Sequence, residues 1–235
     1  MLTNGSKKTM LPRPVQAVVF DMDGLLIDSE TAVREAMMGA ARDYGRELPM
    51  PVFLSMVGLA ADKSHDLAVT HFGVDFPIED YNAAVRAAMK AKSATGIALK
   101  PGVSELLDHL DTIGLPRAVA TSSGHDAVRL HLGHAGILPR FHAVVAKGDT
   151  PRGKPHPDPF LKAAERLGVD PAFCLALEDS HNGVRAASAA GMMTIMVPDL
   201  LEPTAEMRSL CIAIAETLHD VRAILTRSAI PVKGG

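Results

Sequence analysis

Hydrophobic and polar positions fall along this chain in short blocks that switch between two periods. Val15 to Phe20 is an apolar run interrupted by Gln16. It is valine-rich and too short for a typical helix, so it reads as a buried strand. Beyond Ser29, the residues Ala32, Ala36, Met37, Ala40, Ala41 and Tyr44 recur at three- and four-residue steps. That spacing predicts an amphipathic helix stopped by Gly45. Pro49 and Pro51 mark a turn. Helical stretches follow at 63–71 and 78–95, ending at Gly96 and the Lys100-Pro101-Gly102 turn. No strand is predicted between 29 and 96.

From Val103 the periods alternate. Helices are predicted at 103–113, 126–134, 159–167 and 182–190, and strands at 117–120, 142–146, 173–177 and 193–197. A weak apolar run at 211–215 and a helix over 217–225 close the chain. Strand alternating with helix implies a parallel sheet covered on both faces. The expected fold class is α/β: a Rossmann-like, doubly wound parallel sheet core with an inserted helical unit. The core takes 14–28 and 97–235, the insert takes 29–96, and 1–13 form a flexible leader.

Composition narrows the function. An apolar content of 47% is that of an ordinary globular protein, and a formal charge of −3 gives no electrostatic reason to expect nucleic acid or an anionic membrane as partner. Two cysteines, Cys174 and Cys211, do not make a disulfide scaffold in 235 residues. The apolar run ending at Phe20 is too short for a signal peptide or a membrane span. The expectation is a soluble, cytoplasmic protein whose oligomeric state the sequence leaves open.

In open parallel sheets, ligands bind beyond the carboxyl ends of the strands. Four polar clusters obey that rule in chain order. Asp21 and Asp23 follow the first strand, Thr121 and Ser122 the second, Lys154 lies after the third, and Glu178 and Asp179 follow the fourth. Close carboxylates need a bound cation or a shared proton. Oxygen donors with no His or Cys among them select a hard cation, which points to Mg²⁺ as cofactor. A lysine and a hydroxyl beside such a metal suit a phosphoryl group. One carboxylate can then attack phosphorus and a second can carry the proton. Glu178 is either a metal ligand or the ion-pair partner of Lys154. His131 and His134 share a helix face but lack a third ligand, which argues against zinc.

The run Asp21-Met22-Asp23-Gly24-Leu25-Leu26-Ile27-Asp28-Ser29 resembles the first motif of the haloacid dehalogenase-like phosphohydrolases, most closely the branch of the beta-phosphoglucomutase-like phosphatases. Thr121 matches the second motif, Lys154 in Gly153-Lys154-Pro155 the third, and Glu178-Asp179-Ser180 the fourth; the resemblance spans about residues 15–198. It implies that Asp21 is the nucleophile and Asp23 the general acid/base. It also implies that Asp21, the Asp23 carbonyl, Asp179 and Glu178 surround Mg²⁺, that Thr121, Ser122 and Lys154 hold phosphate, and that the helical insert is a cap domain. Cap residues Leu59, Lys63 and His65 would then touch the substrate. Dehalogenases of the family lack an acid at the Asp23 position, so Asp23 points to an ester. Ala61 stands near where the mutases carry an arginine, which favours hydrolysis over a mutase, although Lys63, His65 or Arg86 could compensate. The resulting expectation is a Mg²⁺-dependent phosphatase of a small phosphorylated metabolite, sugar phosphates being one class. The alternatives are a sugar phosphate mutase and a non-catalytic phosphometabolite-binding protein on the same fold.

Overall fold

In the computed structural model, residues 11–228 other than Gly58 and Ala60 are described, with only the backbone given for Ala61 and Asp62. The strands are β1 (Ala17–Phe20), β2 (Arg117–Ala120), β3 (Ala143–Val145), β4 (Cys174–Glu178), β5 (Met193–Met196) and β6 (Ala213–Ile214). They form one sheet in the order β3-β2-β1-β4-β5-β6, and every pairing is parallel. The chain therefore winds outward from β1 to one edge, then returns and winds to the other. The switch point lies between β1 and β4, where the crevice of such a sheet opens.

Alternation along β1 divides the core. Val18 and Phe20 point into one apolar layer with Leu106, Leu107 and Leu110 of α5 (Val103–Thr112), Leu132 of α6 (His125–His134) and Val221 of α10 (Leu218–Ser228). Ala17 and Val19 point into the opposite layer with Phe160 and Ala163 of α7 (Asp158–Leu167) and Ala187 of α8 (His181–Ala189). All four β1 residues are fully buried. Burying a side chain of this size contributes about 1.5–3 kcal/mol, so both layers hold the strand that carries Asp21 at its end.

Among the described residues of the stretch 29–96 the elements are all helices: α1 (Ser29–Asp43), α2 (Met50–Met56), α3 (Ala61–Phe72) and α4 (Ile78–Thr95). They share their own apolar cluster, whose buried members, including Phe53, Phe72, Phe76 and Tyr81, all come from this insert. Phe72 stacks on Phe76 with ring centroids 4.3 Å apart. Two linkers join insert and core. They are zipped by Asp28 N–H donating to the Ala98 carbonyl at 2.9 Å and Lys100 N–H donating to the Leu26 carbonyl at 3.0 Å.

Two expectations from the sequence are corrected. The Pro49–Pro51 segment opens α2 rather than a simple turn: Pro49 is the residue before the helix and Pro51 sits in its first turn, where a missing N–H costs no hydrogen bond. A six-residue helix, α9 (Ala205–Leu210), was not foreseen; it is closed at its start by Thr204, whose hydroxyl accepts from Met207 N–H. Of the expected leader, residues 1–10 lie outside the described residues. Leu11 packs against the core and its N–H donates to Ser228 Oγ at 3.2 Å. Among the described residues no helix is long and apolar enough to cross a membrane.

The place of α2 in the insert cluster is testable. Phe53→Ala should lower stability to urea by about 3–5 kcal/mol, because Phe53 is buried in that cluster. An unchanged midpoint would mean that the segment packs nowhere.

Candidate active site

Four of the residues singled out at the strand ends, Asp21, Lys154, Glu178 and Asp179, meet at the switch point. Asp21 follows β1, Glu178 ends β4 and Asp179 follows it; one carboxylate oxygen from each lies within 4.8 Å of the others. Lys154, from the loop between β3 and α7, sits among them. Its Nζ donates to Asp21 Oδ1 and to Glu178 Oε1, and its side chain is nearly as buried as theirs. The ammonium also lies 5.1 Å from the ring centroid of Phe160.

Glu178 is fully enclosed and multiply held. Its Oε2 accepts from the N–H groups of Asp179 and Ser180, both at 3.1 Å, and from Ser180 Oγ at 3.0 Å. Ser180 in turn caps α8 by accepting from Gly183 N–H. Gly183 is required by contact: a Cβ there would come within 1.8 Å of the Glu178 carboxyl. With one oxygen on Lys154 and the other saturated by donors, Glu178 is the ion-pair partner of Lys154 in this geometry.

Asp23 turns to a different neighbour. Its Oδ2 accepts from Ser123 Oγ at 2.6 Å, and Thr121 Oγ1 stands 3.5 Å from the same oxygen. Thr121 is buried and its hydroxyl accepts from Ser123 N–H at 3.0 Å; Ser122 is exposed. Ser123 was missed from the sequence. The repeated serine in Thr121-Ser122-Ser123 was the available signal, but which hydroxyl turns inward depends on how the loop leaves β2. Gly24, with φ +80°, lets the chain turn directly after Asp23, and a Cβ there would strike Asp179 Oδ2 at 2.3 Å.

The remaining candidates lie apart from this cluster. Leu59 and Lys63 are exposed, and His65 Nδ1 lies 3.3 Å from Asn82 Nδ2 within the insert. Among the described residues none of the three bonds to Asp21, Lys154, Glu178 or Asp179. The expectation on the side chain of Ala61 falls outside the described residues. His181 turns away, pairing with the Glu202 carbonyl at 3.0 Å. Burial pushes both thiols, Cys174 and Cys211, up to about 11, so neither is a ready nucleophile.

One ammonium faces two buried carboxylates and a third that is half-buried, and the titration of the site reflects that shortage. Burial pushes the Asp21 carboxyl up to about 8; Lys154 pulls it down, while Glu178 and Asp23 push it up. Burial, then the charges of Glu178 and Asp21, hold Asp179 well above the usual carboxylate range. For Lys154 burial works the other way, but the charges of Asp21 and Glu178 outweigh it and hold its value up. An all-oxygen cluster short of positive charge fits a hard divalent cation, and Asp21 and Asp179 are the carboxylates with oxygen to spare for it.

The profile of a family described as haloacid dehalogenase-like hydrolase matches residues 15–191. A protein of Drosophila melanogaster named "Probable pseudouridine-5'-phosphatase" is 39% identical over 193 residues, covering 80% of this chain and 83% of its own. Hexitol phosphatase B of Escherichia coli K12 is 35% identical, covering 80% of this chain and 85% of its own. The crystal structure of a HAD family hydrolase from Deinococcus radiodurans R1, with bound phosphate and sodium, matches with a TM-score of 0.80 at 26% identity, over 92% of this chain and 96% of that one.

The raised Asp21 carboxyl predicts a pH effect on the metal-free protein. Between the ordinary value of 3.8 and about 8, the folded chain keeps a proton that the unfolded chain has released. Stability from this group is therefore complete below the ordinary value and is lost as pH rises toward 8. Asp21→Asn removes that dependence, so its melting temperature should rise relative to the wild type between pH 5 and pH 8. Parallel melting curves across that range would contradict the charge shortage.

Proposed function

The chain belongs to the haloacid dehalogenase-like hydrolases, and on that premise we propose that it is a Mg²⁺-dependent phosphoric monoester hydrolase that works through an aspartyl-phosphate at Asp21. The observation that carries the reading is the Lys154-bridged cluster of Asp21, Glu178 and Asp179 at the switch point, with Asp23 held apart by Ser123.

The roles follow from what each side chain already touches. Lys154 fixes Asp21 Oδ1 and leaves Oδ2 as the attacking oxygen. Mg²⁺, held by Asp21, Asp179 and the Asp23 carbonyl, would favour the ionised form of Asp21 and neutralise phosphoryl oxygens. The bond from Asp21 to phosphorus forms as the ester P–O bond breaks, and Asp23 donates its proton to the leaving alkoxide. Asp23 then takes a proton from water as that water attacks phosphorus and frees Asp21. Ser123 holds the Asp23 carboxyl for both transfers. Thr121, the loop N–H groups beside exposed Ser122, and Lys154 hold the phosphoryl oxygens. Glu178 keeps Lys154 in place, the second of the two roles the sequence left open.

The helical insert at 29–96, with its separate apolar cluster, acts as a cap domain over the core of 14–28 and 97–235. Leu59, Lys63 and His65 supply substrate contacts when it closes. The names of the Drosophila and Escherichia coli relatives, one for a nucleoside phosphate and one for a hexitol phosphate, motivate the substrate class, a small phosphorylated metabolite. Ala61, near where the mutases carry an arginine, favours hydrolysis over a mutase.

Asp21→Asn should abolish release of phosphate from an aryl phosphate, by at least about a thousandfold in kcat given the role of a covalent nucleophile. Its circular dichroism should be unchanged, and chelation of divalent cations should silence the wild type reversibly. Turnover by Asp21→Asn near the wild-type rate would exclude the mechanism.

A further inference from the structure

One carboxylate beside the cluster has no part in the reaction above. Asp199 lies in the loop that follows β5, and its side chain is only 10% exposed. Its Oδ1 accepts from Lys100 Nζ at 2.8 Å. Its Oδ2 is buried and has no hydrogen-bond partner among the described residues. A buried carboxylate oxygen without a donor is unfavourable, so the fold keeps it there for something that completes it.

That oxygen is aimed at the acidic cluster. The position a Cβ would take on Gly24 lies 3.3 Å from Asp199 Oδ2 and 2.3 Å from Asp179 Oδ2, so both oxygens crowd the same point beside the turn that follows Asp23. Asp199 stands outside the set whose oxygens fall within 4.8 Å of one another, Asp21, Glu178 and Asp179. It is therefore close to the site but one step removed. Mg²⁺ dehydrates reluctantly and keeps several waters. Those waters need acceptors, and Asp199 Oδ2 is a buried acceptor without a donor.

We propose that Asp199 is a positioning residue for the cation, its Oδ2 accepting a hydrogen bond from a water that the cation retains. The inference rests on the Mg²⁺ reading of the preceding subsection. It also gives Lys100 a purpose. Lys100 fixes the Asp199 carboxylate through Oδ1 and lies 3.7 Å from Asp28 Oδ1, another buried oxygen without a hydrogen-bond partner among the described residues. Asp28 and Lys100 sit on the two linkers of the insert, so the residue that orients the water is fastened where the cap joins the core.

The test is calorimetric titration of Mg²⁺ into the metal-free wild type and into Asp199→Asn, with melting curves of both metal-free proteins. Asp199→Asn replaces the acceptor with an amide of the same shape. It is expected to weaken Mg²⁺ binding about tenfold, the lower end of what loss of an outer partner costs a metal site, while its metal-free melting temperature stays close to the wild type. Unchanged Mg²⁺ affinity overturns the proposal. So does a lowered metal-free melting temperature with Mg²⁺ affinity intact, which would make Asp199 merely an anchor for Lys100. Asp199→Ser, which withdraws the carboxylate but keeps an oxygen, should show the same loss and serves if the asparagine variant does not fold. Failure of the wild type itself to bind Mg²⁺ would refute the metal reading before any variant is compared.

Discussion

Lys154 Nζ bridges Asp21 and Glu178 in a pocket from which solvent is nearly excluded, and Asp179 adds a third carboxylate there with no ammonium of its own. Such an arrangement is unfavourable in isolation, because like charges are gathered where water cannot screen them. It persists because the backbone gives these side chains no alternative. β1 and β4 are adjacent parallel strands buried on both faces, with Phe20 registered against Leu177. The residues that follow them must emerge side by side. The site's chemistry follows from that constraint: burial and neighbouring negative charge push the Asp21 and Asp179 carboxyls up, and a divalent cation would relieve the same crowding.

Small residues stand where the carboxylates need room. Gly183 leaves space for the Glu178 carboxyl and Gly24 leaves space for Asp179. The donors around Glu178 come from the start of α8, so the loop that begins the helix also fixes the partner of Lys154. Asp23 is separated from this group by turning to Ser123 after β2. Two aspartates separated by a single residue thus enter different environments, one beside an ammonium and two acids, the other beside two hydroxyls. That difference underlies the different work proposed for them.

Much of this was legible in the sequence. The short valine-rich run, the polar clusters at successive strand ends and the helical stretch between the first two strands were readable because burial of a parallel strand and helical periodicity leave strong local patterns. What escaped was either overridden or non-local. Proline at Pro49 and Pro51 reads as a turn, yet the first turn of a helix accepts it, and Phe53 and Met56 supply the packing that makes a helix worthwhile. Ser123 carries only the ambiguous signal of a repeated serine, and Asp199 carries none. The first is distinguished from Ser122 only by the direction of a loop, and the second by a fold that returns position 199 to the side of Gly24. Glu178 could be read as ligand or ion-pair partner until its donors were placed.

Calorimetry of Mg²⁺ binding in buffers of different ionisation enthalpy reads directly the protons that a cation would displace from the cluster. With the Asp21 carboxyl pushed up to about 8 and that of Asp179 also raised, Mg²⁺ binding at pH 7 should release about one proton from Asp21 alone, and that share should fall as pH is raised past 8. Binding at pH 7 that releases no proton would contradict the account, because the carboxylates would then already be ionised and the shortage of positive charge would not exist.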